Sequence, residues 1–228
     1  MHVGLIPDGN RRYMRKRGIT NLQESYRMGI TKFYDFLEWC RDLSIKETTI
    51  YALSLENIMN RSREELKVLF SVFEEQATKA LTDDRIHDNK VKVNVCGDMN
   101  YLATVSSKTN GNLVKKLNEL EDVTRNNKSF TLNLAIAYGG RQEVLNAARS
   151  VVSNSLELSE DNLKKYLWVK NYPEIVIRTA EDRLSNFLLW QSAYSEIYFI
   201  DKLWQEFEKN DLAWVVQDYN SRERRFGR

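Results

Sequence analysis

Six short runs of β-branched and aliphatic residues alternate with longer segments of helical period, and this alternation restricts the possible folds more than any other feature of the chain. Strands are expected at 3–6, 48–53, 91–95, 131–137, 175–177 and 197–200. Between the first two, Tyr26, Ile30, Phe33, Leu37 and Cys40 share one helical face. Beyond the second, Leu66, Leu69, Phe70, Phe73 and Ala77 do the same, with Ser62 and Glu65 spaced as a capping box. Strand, helix, strand, helix predicts an α/β fold with a central, mostly parallel six-stranded sheet flanked by helices on both faces. No repeat, low-complexity tract or proline-rich or glycine-rich linker interrupts the pattern, and the polar stretch 123–129 reads as an exposed loop. One domain over 1–228 is therefore expected.

In an open parallel sheet, chemistry gathers beyond the carboxyl ends of the strands. Those loops carry Asp8-Gly9-Asn10-Arg11-Arg12 after the first strand, and Ser54-Leu55-Glu56-Asn57 with Arg61 after the second. Tyr138-Gly139-Gly140-Arg141 follows the fourth, and Arg178, Arg183 and Ser185 the fifth. One edge thus collects arginines, amides, hydroxyls and glycines with few carboxylates. A guanidinium fork suits phosphate oxygens, and glycines let backbone N–H groups approach an anion. Asp8 among them suggests Mg²⁺, which takes one or two carboxylates and completes its shell with water and phosphate oxygens. The edge therefore reads as a diphosphate site. Phe33, Phe36, Leu37, Leu66, Leu69, Phe70 and Phe73 are then either core or the wall of a hydrophobic tunnel, in which case the substrate is a prenyl diphosphate. Plainer readings stand beside these: D-G-N is a common turn, and Arg178 and Arg183 can pair with Glu181 and Asp182.

Composition narrows the partners. With 34 basic against 32 acidic side chains, a net +2, there is no basic face of the kind nucleic acid requires. The two cysteines, Cys40 and Cys96, lack metal-site or C-x-x-C spacing and are read as core thiols of a reducing compartment. No apolar run reaches a membrane span, and a strand beginning near His2 leaves no room for a signal peptide, so a soluble cytoplasmic protein is expected. Walker and G-x-G-x-x-G loops are missing, and neither His2 nor His87 has a nucleophile partner.

The motifs I-P-D-G-N-R-R-Y, Y-A-L-S-L-E-N, L-N-L-A-I-A-Y-G-G-R, V-I-R-T with R-L-S-N-F-L-L-W-Q, Y-S-E-I-Y-F with L-W-Q-E-F, and the closing R-E-R-R-F-G occur in this order and together resemble the cis-prenyltransferases, the family of undecaprenyl and dehydrodolichyl diphosphate synthases. The resemblance implies a homodimer with a hydrophobic tunnel in each subunit. It also implies Mg²⁺-dependent condensation of an allylic prenyl diphosphate with isopentenyl diphosphate, and peripheral membrane contact through the lipid product. Position by position, it makes Asp8 the metal-linked aspartate and Glu196 a second metal carboxylate. Gly9, Asn10, Arg11, Arg12 and Tyr13 become the allylic cradle with Arg61, and Tyr26 takes the place of a histidine in that pocket. Asn57 matches the proton-removing asparagine beside Ser54 and Glu56, while Arg178, Arg183 and Ser185 match the isopentenyl diphosphate clamp.

The chain departs from the pattern in three places. L-Q-E-S-Y-R-M-G stands where a G-H-x-x-G stretch is usual, with Leu22 near an arginine position. R-T-A-E-D-R replaces the longer R-T-G-G-E-x-R, and Trp204-Gln205-Glu206-Phe207 replaces W-P-[DE]-F. The lost glycines are expected to send the clamp loop along another path. An atypical member making a short- or medium-chain (Z)-prenyl diphosphate is the first reading. Irregular coupling of allylic diphosphates and a non-catalytic partner subunit are the alternatives.

Overall fold

The computed structural model describes residues 1–109 and 111–222; of the closing R-E-R-R-F-G motif, 223–227 lie outside the described residues. Strands β1 (His2–Ile6), β2 (Glu47–Ser54), β3 (Val91–Cys96), β4 (Phe130–Tyr138), β5 (Ile175–Thr179) and β6 (Glu196–Ile200) match the six expected runs. They form one sheet in the order β3-β4-β2-β1-β5-β6. Every pairing is parallel, so the expected mostly parallel sheet is wholly so among the described residues. β1 has β2 on one side and β5 on the other, so the chain leaves it in one direction and later returns to its opposite flank. That reversal opens a crevice at its carboxyl end.

The central strands are buried on both faces, which is why they read as unbroken apolar runs. Val3 and Leu5 of β1 join Ile175 and Ile177 of β5 in one core, while Ile6 and Val176 point into another. The first core is closed by Phe36 and Cys40 of α2 (Leu22–Asp42), by Trp204 in a 3-10 turn (Trp204–Glu206) and by Leu212 and Val215 of α10 (Lys209–Ser221). A separate apolar cluster joins β2 and β4 to α4 (Arg63–Ala80), α6 (Met99–Ser106) and α7 (Leu113–Thr124). Helix ends follow their sequence signals: the Asn21, Ser54 and Ser62 side chains accept from Glu24, Asn57 and Glu65 N–H and start α2, α3 (Leu55–Asn60) and α4.

Both cysteines are buried free thiols, and burial raises each thiol pKa, which suits the core role expected of them. His2 is buried against the Thr49 hydroxyl at 2.8 Å, and His87 lies 2.7 Å from the Leu81 carbonyl, so both are structural. Among the described residues no helix is long and apolar enough to cross a membrane.

Candidate active site

The loops after β1, β2, β4 and β5 meet above the carboxyl edge and, with α2 and α4, enclose a cavity of about 1140 Å³. It is lined by Arg11, Arg12, Arg61, Arg141, Arg178 and Arg183, and also by Ile30 and Phe33 of α2 and by Leu69 and Phe73 of α4. The apolar stripes therefore divide: Phe33, Leu69 and Phe73 face the cavity, while Phe36, Leu66 and Phe70 are core and Leu37 packs against it. Four carboxylates, from Asp8, Glu56, Glu65 and Glu181, also line the cavity, more acid than the sequence suggested for this edge.

Asp8 is held from several sides. Its main-chain N–H donates to Thr179 Oγ1 at 2.8 Å, and the same hydroxyl donates back to the Asp8 carbonyl at 2.8 Å. The carboxylate accepts the Gly9 N–H at 2.6 Å and an Arg178 guanidinium N–H at 2.7 Å. Arg178 is 3% exposed. It also donates to Ser185 Oγ at 2.6 Å and to the Arg183 carbonyl, while its Nε is buried without a partner. Arg178 thus pairs with Asp8 across 170 residues rather than with the neighbouring acids considered from the sequence. Arg183 does take a neighbour, Glu181, at 2.7 Å, and Glu181 also binds Arg12 at 3.0 Å.

Gly9 begins α1 (Asn10–Lys16) with φ 103°, and a Cβ there would meet Leu203 at 2.8 Å, so the cradle glycine answers both a left-handed backbone and a close approach. Asn10, Arg11 and Arg12 line the cavity; Tyr13 does not. Tyr13, also expected in the cradle, has the Arg17 guanidinium 5.4 Å from its ring.

A second charged cluster faces this one. Tyr26 donates to Glu65 at 2.7 Å, Arg61 donates to the Tyr26 hydroxyl at 2.8 Å and lies 3.3 Å from Glu65, and Arg11 also donates to Glu65. Burial pushes the Tyr26 hydroxyl up to about 12. Burial alone would raise the Glu65 carboxyl, but hydrogen bonds from Tyr26 and Arg11 and the charge of Arg61 outweigh it and hold the group below its usual value. The expected capping box is therefore half formed: Ser62 caps the Glu65 N–H, but the Glu65 side chain is taken by the arginines.

Ser54 and Asn57 are joined at 2.9 Å through the α3 cap, both line the cavity, and Glu56 accepts from Asn186 at 2.7 Å. Asn186 also binds the start of α8 (Gly140–Ser153): its carbonyl accepts the Gly140 N–H at 2.7 Å and its Oδ1 the Arg141 N–H at 2.9 Å. The shortened clamp loop keeps left-handed backbone without its glycines, at Ala180, Ser185, Asn186 and Leu188, with φ from 45° to 67°. These interloop bonds hold a conformation that costs about 1–3 kcal/mol per non-glycine residue.

Glu196 is not brought to this edge. It pairs in register with Ile175 at the amino end of β6 and binds Arg222 at 3.0 Å, whereas Asp8 lies beyond Ile6, which is level with Arg178 and Phe199. That offset is roughly 15 Å along the strands. Within one chain Glu196 therefore stands apart from Asp8 and pairs with Arg222, so a second metal carboxylate at this position would have to come from a partner subunit. Among the described residues no group of three or more His, Cys, Asp or Glu side chains gathers as a metal cage. The single Asp8 carboxylate fits Mg²⁺ bound mainly by substrate oxygens and water.

The prenyltransferase family model for undecaprenyl diphosphate synthase matches residues 6–227. A tritrans,polycis-undecaprenyl-diphosphate synthase (geranylgeranyl-diphosphate specific) of Pyrobaculum aerophilum is 43% identical over 236 residues, covering 100% of this chain and 95% of that protein. The enzyme of the same name from Methanopyrus kandleri is 44% identical, over 100% of this chain and 84% of that protein. The crystal structure of lavandulyl diphosphate synthase from Lavandula x intermedia in complex with dimethylallyl diphosphate superposes with a TM-score of 0.88 at 30% identity, covering 100% of this chain and 98% of that chain.

Proposed function

We propose that this chain, which belongs to the undecaprenyl diphosphate synthase family of cis-prenyltransferases, extends geranylgeranyl diphosphate with isopentenyl diphosphate to a short- or medium-chain (Z)-prenyl diphosphate, up to the undecaprenyl length that its relatives' names carry. One observation carries the reading: arginines and apolar side chains of α2 and α4 line a single cavity of about 1140 Å³, larger than the ~300–1,000 Å³ of pockets for drug-sized ligands. Geranylgeranyl diphosphate is the substrate in the names of the archaeal relatives, and its tail suits the apolar side chains that α2 and α4 turn to the cavity.

When bound, Mg²⁺ supplies charge neutralisation at the leaving diphosphate, and Asp8 is the residue that would hold it. Asn10, Arg11, Arg12 and Arg61 take the allylic diphosphate. As the C–O bond breaks, negative charge concentrates on the departing group, and these donors stabilise it more than the ground state. Arg178, Arg183 and Ser185 hold isopentenyl diphosphate with its alkene toward the allylic carbon. Asn57, fixed through the Ser54 cap, stands where the proton is lost after the new bond forms. Phe33, Leu69 and Phe73 keep water from the cation.

Irregular coupling and a non-catalytic role gain no support from the names of the archaeal relatives. The enzyme acts as one domain over 1–228 in the cytoplasm, touching membrane only through its product. The homodimer rests on edge strand β6, where Ile197 and Phe199 are exposed beside Tyr194. Light scattering that gives a monomer rejects the dimer. The reaction is tested by incubating the chain with Mg²⁺, isopentenyl diphosphate and C5 to C20 allylic primers and reading products by mass. Preference for the C20 primer is expected; no product, or products beyond undecaprenyl, would overturn the reading.

A further inference from the structure

Gln205 stands where the family carries proline, and the turn that contains it is the platform on which the Asp8-Gly9-Asn10 cradle rests. The Trp204 N–H donates to the Asp8 carbonyl at 2.9 Å, the Leu203 side chain fills the space beside Gly9, and Glu206 binds Lys16 at 2.6 Å. Trp204 Nε1 also donates to the Gly29 carbonyl at 2.9 Å, fastening the turn to α2. Gly29 is needed for space: a Cβ at this position would lie 2.6 Å from Asn10 Oδ1.

The Asn10 amide is oriented by elimination. The atom 3.1 Å from the Pro7 carbonyl must be Nδ2, because a carbonyl only accepts. Oδ1 therefore faces Gln205, which must present its own NH₂, at 2.6 Å. This leaves Gln205 Oε1 buried without a partner. An orphaned carbonyl weakens a fold rather than strengthening it, and the turn is already anchored through Trp204 and Leu203. The bond to Asn10 consequently has no evident structural need.

We propose that Gln205 is a positioning residue for the allylic diphosphate: it fixes Asn10 with Oδ1 turned away from the ligand and leaves the second Nδ2 N–H to donate to a diphosphate oxygen. Without it, the Pro7 carbonyl alone holds the amide, and Asn10 can swing about its side-chain torsions and take the Nδ2 N–H away from the anion. The inference rests on the allylic site proposed above, and binding of geranylgeranyl diphosphate with Mg²⁺, in the absence of isopentenyl diphosphate, tests it without turnover.

Gln205→Met removes both the donor and the orphaned carbonyl at similar volume. The expected result is an unchanged or raised Tm and about tenfold weaker primer binding (~1.4 kcal/mol). KM for isopentenyl diphosphate should stay within twofold. Gln205→Glu, which cannot donate and opposes Asn10 Oδ1, should weaken the primer at least as much. If Gln205→Met does not fold, Gln205→Glu alone decides. Primer affinity within twofold of the parent in the folded variants overturns the proposal. So does a fall in Tm with equal loss for both substrates, which marks a structural role. If the unmodified protein binds no allylic diphosphate, the proposed function itself fails, a result distinct from unaltered binding by the variants.

Discussion

Asp8→Ala and Arg178→Met break the same ion pair, yet they should affect stability unequally. Arg178 is 3% exposed, whereas the Asp8 side chain is 38% exposed. Removing Asp8 strands a buried guanidinium that already has an unpartnered Nε and keeps only Ser185 Oγ and the Arg183 carbonyl as acceptors. A stranded buried charge costs ~3–5 kcal/mol, and the surviving acceptors reduce this to about 2–3 kcal/mol here. For a chain of this length that lowers Tm by roughly 5–10 °C. Removing Arg178 instead frees a carboxylate that water can reach and that still accepts the Gly9 N–H. The main loss is then the unpaired Arg183 carbonyl, about 1 kcal/mol. The double variant should be more stable than Asp8→Ala alone, because it no longer buries an unpaired charge. Thermal and urea unfolding of the three variants measure this, with product formation assayed in parallel; all three should lose turnover. Arg178→Met melting at or below Asp8→Ala, or a double variant whose loss is the sum of the singles, would refute the reasoning.

Glu65 makes the site sensitive to acid. Its carboxyl is held below the usual value in the fold, so its contribution is present above the unfolded pKa of about 4.3 and is lost as pH falls through the lower folded value; Glu65→Gln should flatten the stability profile in that window, as pH-dependent melting would show. Phe73 lines the cavity from α4, and Phe73→Ala should shift the product distribution by at least one isoprene unit toward longer chains, read by mass; an unchanged distribution would remove Phe73 from length control. Asn186→Asp keeps a residue tolerant of φ 65° but sets a carboxylate against Glu56, and should lower kcat/KM about tenfold. Adding Glu56→Gln should recover part of that loss, and failure to recover it would disprove the link.

The sheet was legible because strands buried on both faces must be apolar at every position, and the intervening helices must carry one apolar stripe each. From that, the carboxyl-edge rule placed Asp8, Asn57, Arg61 and Arg178 around one cavity before any contact was known. What stayed hidden are pairings between residues far apart in sequence: Asp8 with Arg178, Arg11 with Glu65, and Asn10 with Gln205. Local spacing hints only at a further pair, Arg61 with Glu65, which are four residues apart. The distant pairs leave no such trace, because their partners are set by which loops the strand order brings together. The same limit hides where Tyr13 and Glu196 lie within the chain. Tyr13 is adjacent in sequence to the cradle but has the Arg17 guanidinium near its ring. Glu196 belongs to a motif shared with the family, yet the register of β6 puts it at the amino end of the sheet.

Charge shows most clearly why motifs alone under-describe this site. Read as a string, the edge is rich in arginines and has few carboxylates, and such a cluster of like charge would repel itself. In the fold, Asp8 opposes Arg178, Glu181 bridges Arg12 and Arg183, and Glu65 bridges Arg11 and Arg61. Three carboxylates thus allow five arginines to share one cavity. A diphosphate entering that cavity meets cations already held in place, so little side-chain ordering remains to be done on binding, which favours affinity through preorganisation rather than through any further contact.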